Sequence, residues 1–516
     1  MTQLAALVAT SQRVSANAAR RAKIQELARL LSELAPEEID VGVHYLSGET
    51  RQGKIGIGFA AVRAAANAAP ANHETLQLLE VDQRLTEIAT IRGSGSTARR
   101  AACLSELFSR AMAVEQEFLL HLLIGELRQG ALAGIMVDAI AAAAKIPVAP
   151  LRRAAMYAMS LGAVAEAALG EGEAALERFQ LELFSPIAPM LAQTAADVGE
   201  ALAEIPGEVA FEWKMDGARI QVHKLGDEVR IYTRSLNEIS EGIPEIIERV
   251  RSFPAEVLVL DGEAIALATS GRPLPFQVTM QRFGRKLNVA AARAEQPIQA
   301  FFFDCLRYGK ASIANRTTQE RHQALAQAVP PALLIPRLVT ASKSEAQAFY
   351  EAAIAAGHEG VMAKALDAPY EAGNRGASWL KIKRVHTLDL VVLAAEWGYG
   401  RRTGKLSNLH LGARDTVSGK YIMLGKTFKG LTDTMLAWQT EQFLAREVRR
   451  DSGTVYIRPE LVVEIAFSDL QASIRYPGGL ALRLARVKRY RDDKRVENAD
   501  TMEAVRRLYA AQSQGP

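Results

Sequence analysis

From residue 1 to about 180, apolar positions return with helical spacing. In Ile24-Leu27-Leu30-Leu31-Leu34 they recur every three or four residues, which predicts a helix with one buried stripe. Arg29 and Glu33 fall on the opposite face, spaced for a weak surface pair. Ser47-Gly48, the glycine-rich residues 53–58, Gly93-Ser94-Gly95-Ser96 and Gly170-Glu171-Gly172-Glu173 punctuate the pattern as loops. The most apolar long stretch, residues 130–151, is interrupted by Asp138 and Lys145. A membrane span needs roughly 20 mainly apolar residues, so this stretch predicts an alanine-rich buried helix instead. Residues 1–10 are apolar but no Lys or Arg precedes them, which makes a poor signal peptide.

The period changes near Pro186-Ile187-Ala188-Pro189. Beyond it, short alternating runs bounded by Gly, Asp and Asn predict strands at 208–213, 219–223, 229–232, 257–260 and 300–303. Helical patterns at 244–251 and 318–328 interrupt them. Together they predict an α/β or α+β core of about 200 residues. After Lys383, strand-like runs at 388–394, 421–425, 455–457 and 461–467 predict a smaller, mostly β module. No internal repeat and no low-complexity tract is present.

With 516 residues the chain has room for about three domains. Its 49% apolar and 23% charged composition argues against a disordered chain, a collagen or a coiled-coil rod. Cys103 and Cys305 are the only cysteines, which excludes a disulfide scaffold and any four-cysteine zinc site. Sparse cysteine fits a reducing cytoplasm. The net charge of +4 says little, but residues 475–495 alone carry +6. With Tyr476 and Tyr490 interleaved, that run reads as a phosphate-binding strand or loop.

The candidate chemistry lies in a series of short blocks. Glu212-Trp213-Lys214-Met215-Asp216-Gly217-Ala218-Arg219 places a lysine at a strand end, before a turn. Arg234-Ser235-Leu236-Asn237 follows, then Asp261-Gly262-Glu263, Phe301-Phe302-Phe303-Asp304, Glu359-Gly360-Val361-Met362-Ala363-Lys364 and Trp379-Leu380-Lys381-Ile382-Lys383. Cations, carboxylates and an aromatic face suit a nucleotide. Phe303 can stack on a base, while lysines and arginines neutralise phosphates. Glu263 and Glu359 are candidate ligands for Mg²⁺, a hard cation that prefers oxygen. Neighbouring cations together with a bound metal would lower the pKa of Lys214 and make it a nucleophile toward an α-phosphate. Of three consecutive phenylalanines, at least one is expected in the core. There is no phosphate loop of the G-x-x-x-x-G-K-[ST] kind, no H-E-x-x-H and no G-x-S-x-G, so any use of ATP falls outside the P-loop class.

These blocks, in this order, resemble the nucleotidyltransferase superfamily of polynucleotide ligases and capping enzymes, and more closely its bacterial ATP-dependent DNA ligases. Lys214 to Arg219 is similar to the adenylated-lysine motif, and the last block resembles Arg483 to Lys494. Tyr45-Leu46-Ser47-Gly48, Ile55-Gly56-Ile57-Gly58 and Gly125-Glu126-Leu127-Arg128-Gln129-Gly130 resemble that family's DNA-binding domain. The resemblance implies an all-α DNA-binding domain over 1–180, an α/β (α+β) adenylation domain of the nucleotidyltransferase fold over 186–383, and a C-terminal OB-fold β-barrel over 384–516. One departure is visible: the family usually has Arg-Phe-Pro-Arg where this chain has Arg483-Leu484-Ala485-Arg486, which can alter local strand geometry.

The resemblance also implies roles. Lys214 would become AMP-bound, Glu212 would help read the adenine and Phe303 would stack on it. Arg219, Arg234 and Glu263 would bind ribose or position nucleotide and metal. Arg375 and Lys381 would contact the nucleotide, with Lys381 on the α-phosphate. Glu359 would be a metal ligand, and Arg486, Arg491, Asp493 and Lys494 would orient the pyrophosphate. ATP would be the substrate, Mg²⁺ or in its place Mn²⁺ the metal, and nicked double-stranded DNA the partner of a cytoplasmic monomer with no membrane association. Lys54 and Arg128 would contact DNA. A capping enzyme would load GMP and would not need the helical front domain, and NAD-dependent ligases carry a four-cysteine zinc module that is absent here. A DNA-binding protein with a decayed nucleotide fold would have no need of Lys214, Glu263, Glu359 and Lys381 together.

Overall fold

The computed structural model describes residues 1–514 apart from 54, 128, 130–132, 159, 285–287 and 400–401. Lys54 and Arg128 therefore lie outside the described residues. The chain divides into two compact units, Met1–Pro189 with Glu371–Gly373, and Met190–Tyr370 with Asn374–Pro516.

The first unit is helical, with helices that include Leu4–Ala16, Arg20–Glu33, Ile39–Ser47, Leu78–Thr90, Ser96–Ser109, Ala113–Leu123 and Leu161–Gly170. The stripe in Arg20–Glu33 buries Leu27, Leu30 and Leu31 in a core shared with Leu4, Leu7, Tyr45 and Leu85. Two expectations change here. Arg29 turns back to Glu26 at 2.8 Å rather than forward to Glu33, and Glu26 also receives Arg13 at 2.6 Å. The alanine-rich stretch is two helices, Ala133–Ala144 and Val148–Tyr157, broken where Lys145 takes a left-handed φ of 58° just ahead of Pro147. Asp138, the polar interruption, serves as an acceptor for Arg20 at 2.7 Å and Arg152 at 2.8 Å.

The second unit is built on sheets. One has five strands: β1 (Leu191–Thr194), β2 (Val209–Lys214), β8 (Arg337–Thr340), β9 (Gly360–Ala365) and β10 (Arg375–Lys383), in the order β1-β10-β9-β2-β8. The other five-stranded sheet runs β4-β3-β5-β6-β7, from β3 (Ala218–Leu225), β4 (Glu228–Thr233), β5 (Val257–Ala266), β6 (Ile298–Tyr308) and β7 (Ala311–Ser312). Helices Pro244–Arg251 and Thr318–Ala328 occupy the ranges read from sequence. The first starts on Pro244 and the second on a capping box, in which Thr317 and Glu320 satisfy each other's backbone N–H groups. Each sheet has its own apolar cluster, around Ile220, Leu258 and Phe302 in one and Val209, Phe211 and Leu380 in the other.

The last part is a seven-stranded sheet centred on β11 (His386–Trp397), which pairs with β12 (Leu406–Arg414) on one side and with β15 (Thr454–Ile457) and β16 (Val462–Phe467) on the other. β13 (Tyr421–Thr427), β14 (Glu447–Arg450) and β19 (Arg486–Tyr490) complete it. A hairpin of β17 (Asp469–Ala472) and β18 (Leu480–Arg483) precedes β19. Thr427 Oγ1 donates to Ala485 O at 2.6 Å and Val487 N to Lys429 O at 2.9 Å, so the sheet curls back toward its first edge. Helix Asp433–Ala445, which the strand pattern of this region does not include, covers part of that core through Leu436 and Phe443. Among the described residues no helix is long and apolar enough to cross a membrane.

Candidate active site

A cavity of about 920 Å³ is walled by strands of both five-stranded sheets and by Arg483 and Leu484. On its wall β2 ends on Lys214 and the chain turns through Met215-Asp216-Gly217 into β3. The turn lies flat on β5: a Cβ on Gly217 would meet Ile265 Cγ2 at 2.2 Å and Ala264 O at 2.4 Å. Only glycine lets the turn approach so closely. Lys214 is paired with Gly360 across β2 and β9, and Gly360 holds a φ of +144° with Ile382 O at 2.1 Å from where a Cβ would sit.

This geometry sets Lys214 Nζ 2.8 Å from Glu359 Oε2, and Lys383 Nζ 2.6 Å from the same oxygen. Burial favours the neutral amine of Lys214, but Glu359 and Glu263 outweigh it and raise its pKa. The lowering expected from sequence rests on cations and a bound metal together. Among the chain's own groups the nearest charges are carboxylates, and these set the upward shift. Burial likewise opposes ionisation of Glu359, yet the two lysines hold its carboxyl down to about 2. Glu263 shows the opposite balance: burial prevails over Lys214 and Arg219 and pushes it up to about 7.

Deeper in, Glu212 is buried and accepts from Lys364 Nζ at 2.5 Å. Lys364 Nζ stands 4.7 Å from the Phe303 ring centroid and 4.3 Å from that of Trp379. Of the three phenylalanines, Phe302 is core and packs on Phe253, whereas Phe303 is half-buried and lines the cavity. Strand alternation produces this split.

Arg219, Arg234, Arg375, Lys381, Lys383 and Arg483 give the cavity a basic wall. Arg234 and Arg375 are exposed there, and Arg234 leads a tight turn in which Leu236 adopts a left-handed φ of 64°. Lys381 Nζ donates to Ala192 O at 3.3 Å, and burial followed by Arg375 and Lys383 lowers its pKa. Arg219 is anchored by Asp261 Oδ2 and Met190 O, each at 2.7 Å.

The C-terminal basic run divides. Arg483 forms an ion pair with Asp216, with Nη2 to Oδ1 at 3.0 Å, and lies 4.2 Å above the Phe276 ring. Leu484, at the position where this chain departs from Arg-Phe-Pro-Arg, has a φ of 56° and turns the chain from β18 into β19. Arg486, Arg491, Asp493 and Lys494 are not among the residues described as lining the cavity. Arg491 Nη1 and Lys494 Nζ bind Asp389 at 2.8 and 2.5 Å, Arg491 also binds Asp493, and Arg486 is exposed on β19.

Comparison with known proteins gives a consistent result. Residues 189–383 match the family described as "ATP dependent DNA ligase domain", 402–494 its C terminal region, and 56–141 "DNA ligase N terminus". A "Probable DNA ligase" of Anaeromyxobacter sp. (strain Fw109-5) is 59% identical over 512 residues, covering 99% of this chain and 98% of the relative. One of Mycolicibacterium paratuberculosis (strain ATCC BAA-968 / K-10) is 53% identical, covering 96% of each.

The chain belongs to the ATP-dependent DNA ligases.

The solved structure named Pmar-Lig_PreS3 shares the fold, with a TM-score of 0.60 at 17% identity over 94% of this chain and 99% of its own. The helical unit, the adenylation sheets and the curled β module are thus the N-terminal, adenylation and OB-fold domains of a ligase that seals DNA nicks by way of adenylation.

Among the described residues of the ligase, no cluster of three or more His, Cys, Asp or Glu is gathered to hold a metal. Glu263 and Glu359 both face the cavity. That donor set fits Mg²⁺, which usually takes one or two protein carboxylates and completes its shell with phosphate oxygens and water. The structure adds residues the sequence reading left without a role. Lys383, Lys364 and Trp379 stand in the sequence blocks beside residues already named and are legible from there. Met190, Leu191 and Ile335 also line the cavity. They carry no polar signal and are not.

Proposed function

We propose that Lys214 is the nucleophile of this ligase and that sealing proceeds in three nucleotidyl transfers. Lys214 Nζ attacks the α-phosphorus of ATP, a P–N bond forms, the α–β P–O bond breaks and pyrophosphate leaves. The 5′-phosphate oxygen at a nick then displaces the lysine and takes AMP. The 3′-hydroxyl finally attacks that phosphate, closes the strand and releases AMP. The observation that carries this reading is the placement of Lys214 on the wall of a basic, aromatic-backed cavity, held by Glu359.

In this reading Phe303 stacks on the adenine and Glu212 receives a hydrogen bond from it. Arg219 and Arg234 hold the ribose and neighbouring phosphate. Arg375 and Lys381 contact the nucleotide, Lys381 at the α-phosphate. Glu263 and Glu359 would hold a divalent cation, Mg²⁺ or Mn²⁺, which when bound neutralises phosphate charge and draws off the carboxylates that keep Lys214 protonated. Arg486, Arg491, Asp493 and Lys494 orient the pyrophosphate. Since Arg491 and Lys494 are bonded to Asp389, this requires the OB-fold domain to change its pairing when ATP binds.

Residues 1–180 would grip duplex DNA, 186–383 carry the adenylation chemistry and 384–516 form the OB-fold domain. The ligase would act as a cytoplasmic monomer, at the nucleoid when on DNA. The test uses a nicked duplex labelled at the nick. The intact protein with ATP and Mg²⁺ should seal it, and a Lys214→Ala variant should not. The same variant should close a nick whose 5′ end is already adenylated. Sealing of the 5′-phosphate nick by Lys214→Ala would overturn the assignment.

A further inference from the structure

We propose that Tyr370 and Asp261 are positioning residues for nucleotide binding, holding Arg219 in one orientation on the cavity wall. This rests on the nucleotide role proposed for Arg219. Tyr370 is buried in the connection between β9 and β10, outside every motif of the site. A phenol has one donor and two acceptor sites. Here its hydroxyl donates to Asp261 Oδ2 at 2.6 Å and accepts from Arg219 Nη2 at 3.1 Å and from Met190 N at 3.0 Å. Its hydrogen-bonding capacity is thereby used in full.

Asp261 completes the frame. It is buried on β5, accepts from Arg219 Nη2 at 2.7 Å and from Gln221 Nε2 at 3.2 Å, and so brings one carboxylate to bear on the guanidinium from the neighbouring strand. Arg219 Nη1 donates to Met190 O. The same residue whose N–H is held by Tyr370 thus receives Arg219 through its carbonyl. Both terminal nitrogens of the guanidinium are tied down, and Nε is left without a hydrogen-bond partner in a residue that lines the cavity. The Arg219 Cζ lies 5.2 Å from the Phe303 ring centroid and 5.7 Å from that of Trp379. Tyr370 meets Trp379 edge to face at 6.0 Å. One frame therefore fixes a cation and the aromatic wall beside it. A planar guanidinium so fixed keeps its charge in one place beside the aromatic wall, so little ordering cost is left for binding.

The frame makes a specific claim: Tyr370 acts through Arg219. The test is a cycle of Tyr370→Phe, Arg219→Ala and the double variant in the full-length, unadenylated protein. It reads the ATP concentration for half-maximal self-adenylation and the maximal rate separately. Tyr370→Phe should raise the half-maximal ATP concentration on the order of tenfold, since it strands the Met190 N–H and removes one of the three hydrogen bonds that hold the guanidinium, and should leave the maximal rate within about twofold. In the Arg219→Ala background the same change should have no further effect on the ATP requirement. Asp261→Asn, which keeps the shape and removes the charge, should follow Tyr370→Phe. It also serves as the second variant should Tyr370→Phe lose its folded thermal transition. An unchanged ATP requirement, or an equal effect with and without Arg219, would overturn the proposal. If Arg219→Ala alone leaves ATP binding unchanged, the nucleotide role of Arg219 fails instead, and with it the basis of the frame.

Discussion

Lys214 Nζ and Glu359 Oε2 stand 2.8 Å apart, so the amine proposed to attack ATP rests as an ammonium ion paired with a carboxylate. Burial alone would favour the neutral amine. Glu359, then Glu263, reverse that preference. The free ligase is thus stored with its nucleophile protonated.

A first expectation follows from this pair. Glu359→Gln removes the charge that raises the Lys214 pKa. The pH at which self-adenylation reaches half its plateau should move down, while the plateau falls because a candidate metal ligand is lost. Label incorporation from ATP across a pH series reads both. A midpoint that stays put or rises would show that Glu359 does not hold the Lys214 proton.

Arg483 and Asp216 join the OB-fold segment to the turn that carries Lys214. Charge-assisted pairs of this kind are stronger than neutral ones but are weakened by solvent, and both side chains are only partly buried. Arg483→Ala should slow self-adenylation about tenfold, equivalent to about 1.4 kcal/mol. Closure of a pre-adenylated nick should change less. Equal losses in both assays would place Arg483 in the later steps as well.

Much of this arrangement was legible in the chain. Helix limits at 244–251 and 318–328 were readable because Pro244 and the Thr317/Glu320 box mark their starts locally. The apolar run of β5 stops at Leu260, yet the strand continues to Ala266. Asp261 and Glu263 break the apolar pattern because they serve the site, not because the strand stops. Lys145 gave too little warning of the break in the alanine-rich stretch. The pairing of Asp216 with Arg483 crosses 267 residues and has no local signal. Tyr370 is silent for a similar reason: its importance lies in three hydrogen bonds that only the folded chain brings together.

One buried and two half-buried histidines give the fold a pH limit. Burial lowers the pKa of His223 to about 3, and burial leads the lowering of His322 and His358 to about 4, against an ordinary value of 6.5. Below pH 6.5 the unfolded chain binds protons that the folded chain refuses. The stability these groups contribute is therefore present above that pH and is lost as pH falls toward the folded values. Each contributes a slope of up to about 1.4 kcal/mol per pH unit in that window. Thermal unfolding from pH 7 to 5 should show a falling midpoint, with a shallower fall in a His223→Gln variant. An identical pH dependence in the two proteins would rule out His223 as a source.

The central claim is that Lys214 carries AMP. The most direct measurement mixes the unadenylated protein and its Lys214→Ala variant with Mg²⁺ and ATP or GTP labelled at the α-phosphate. The account requires label from ATP alone on the denatured intact protein, stable in alkali, released in acid and absent from the variant. Label from GTP, label retained by Lys214→Ala, or no label from either nucleotide would contradict it.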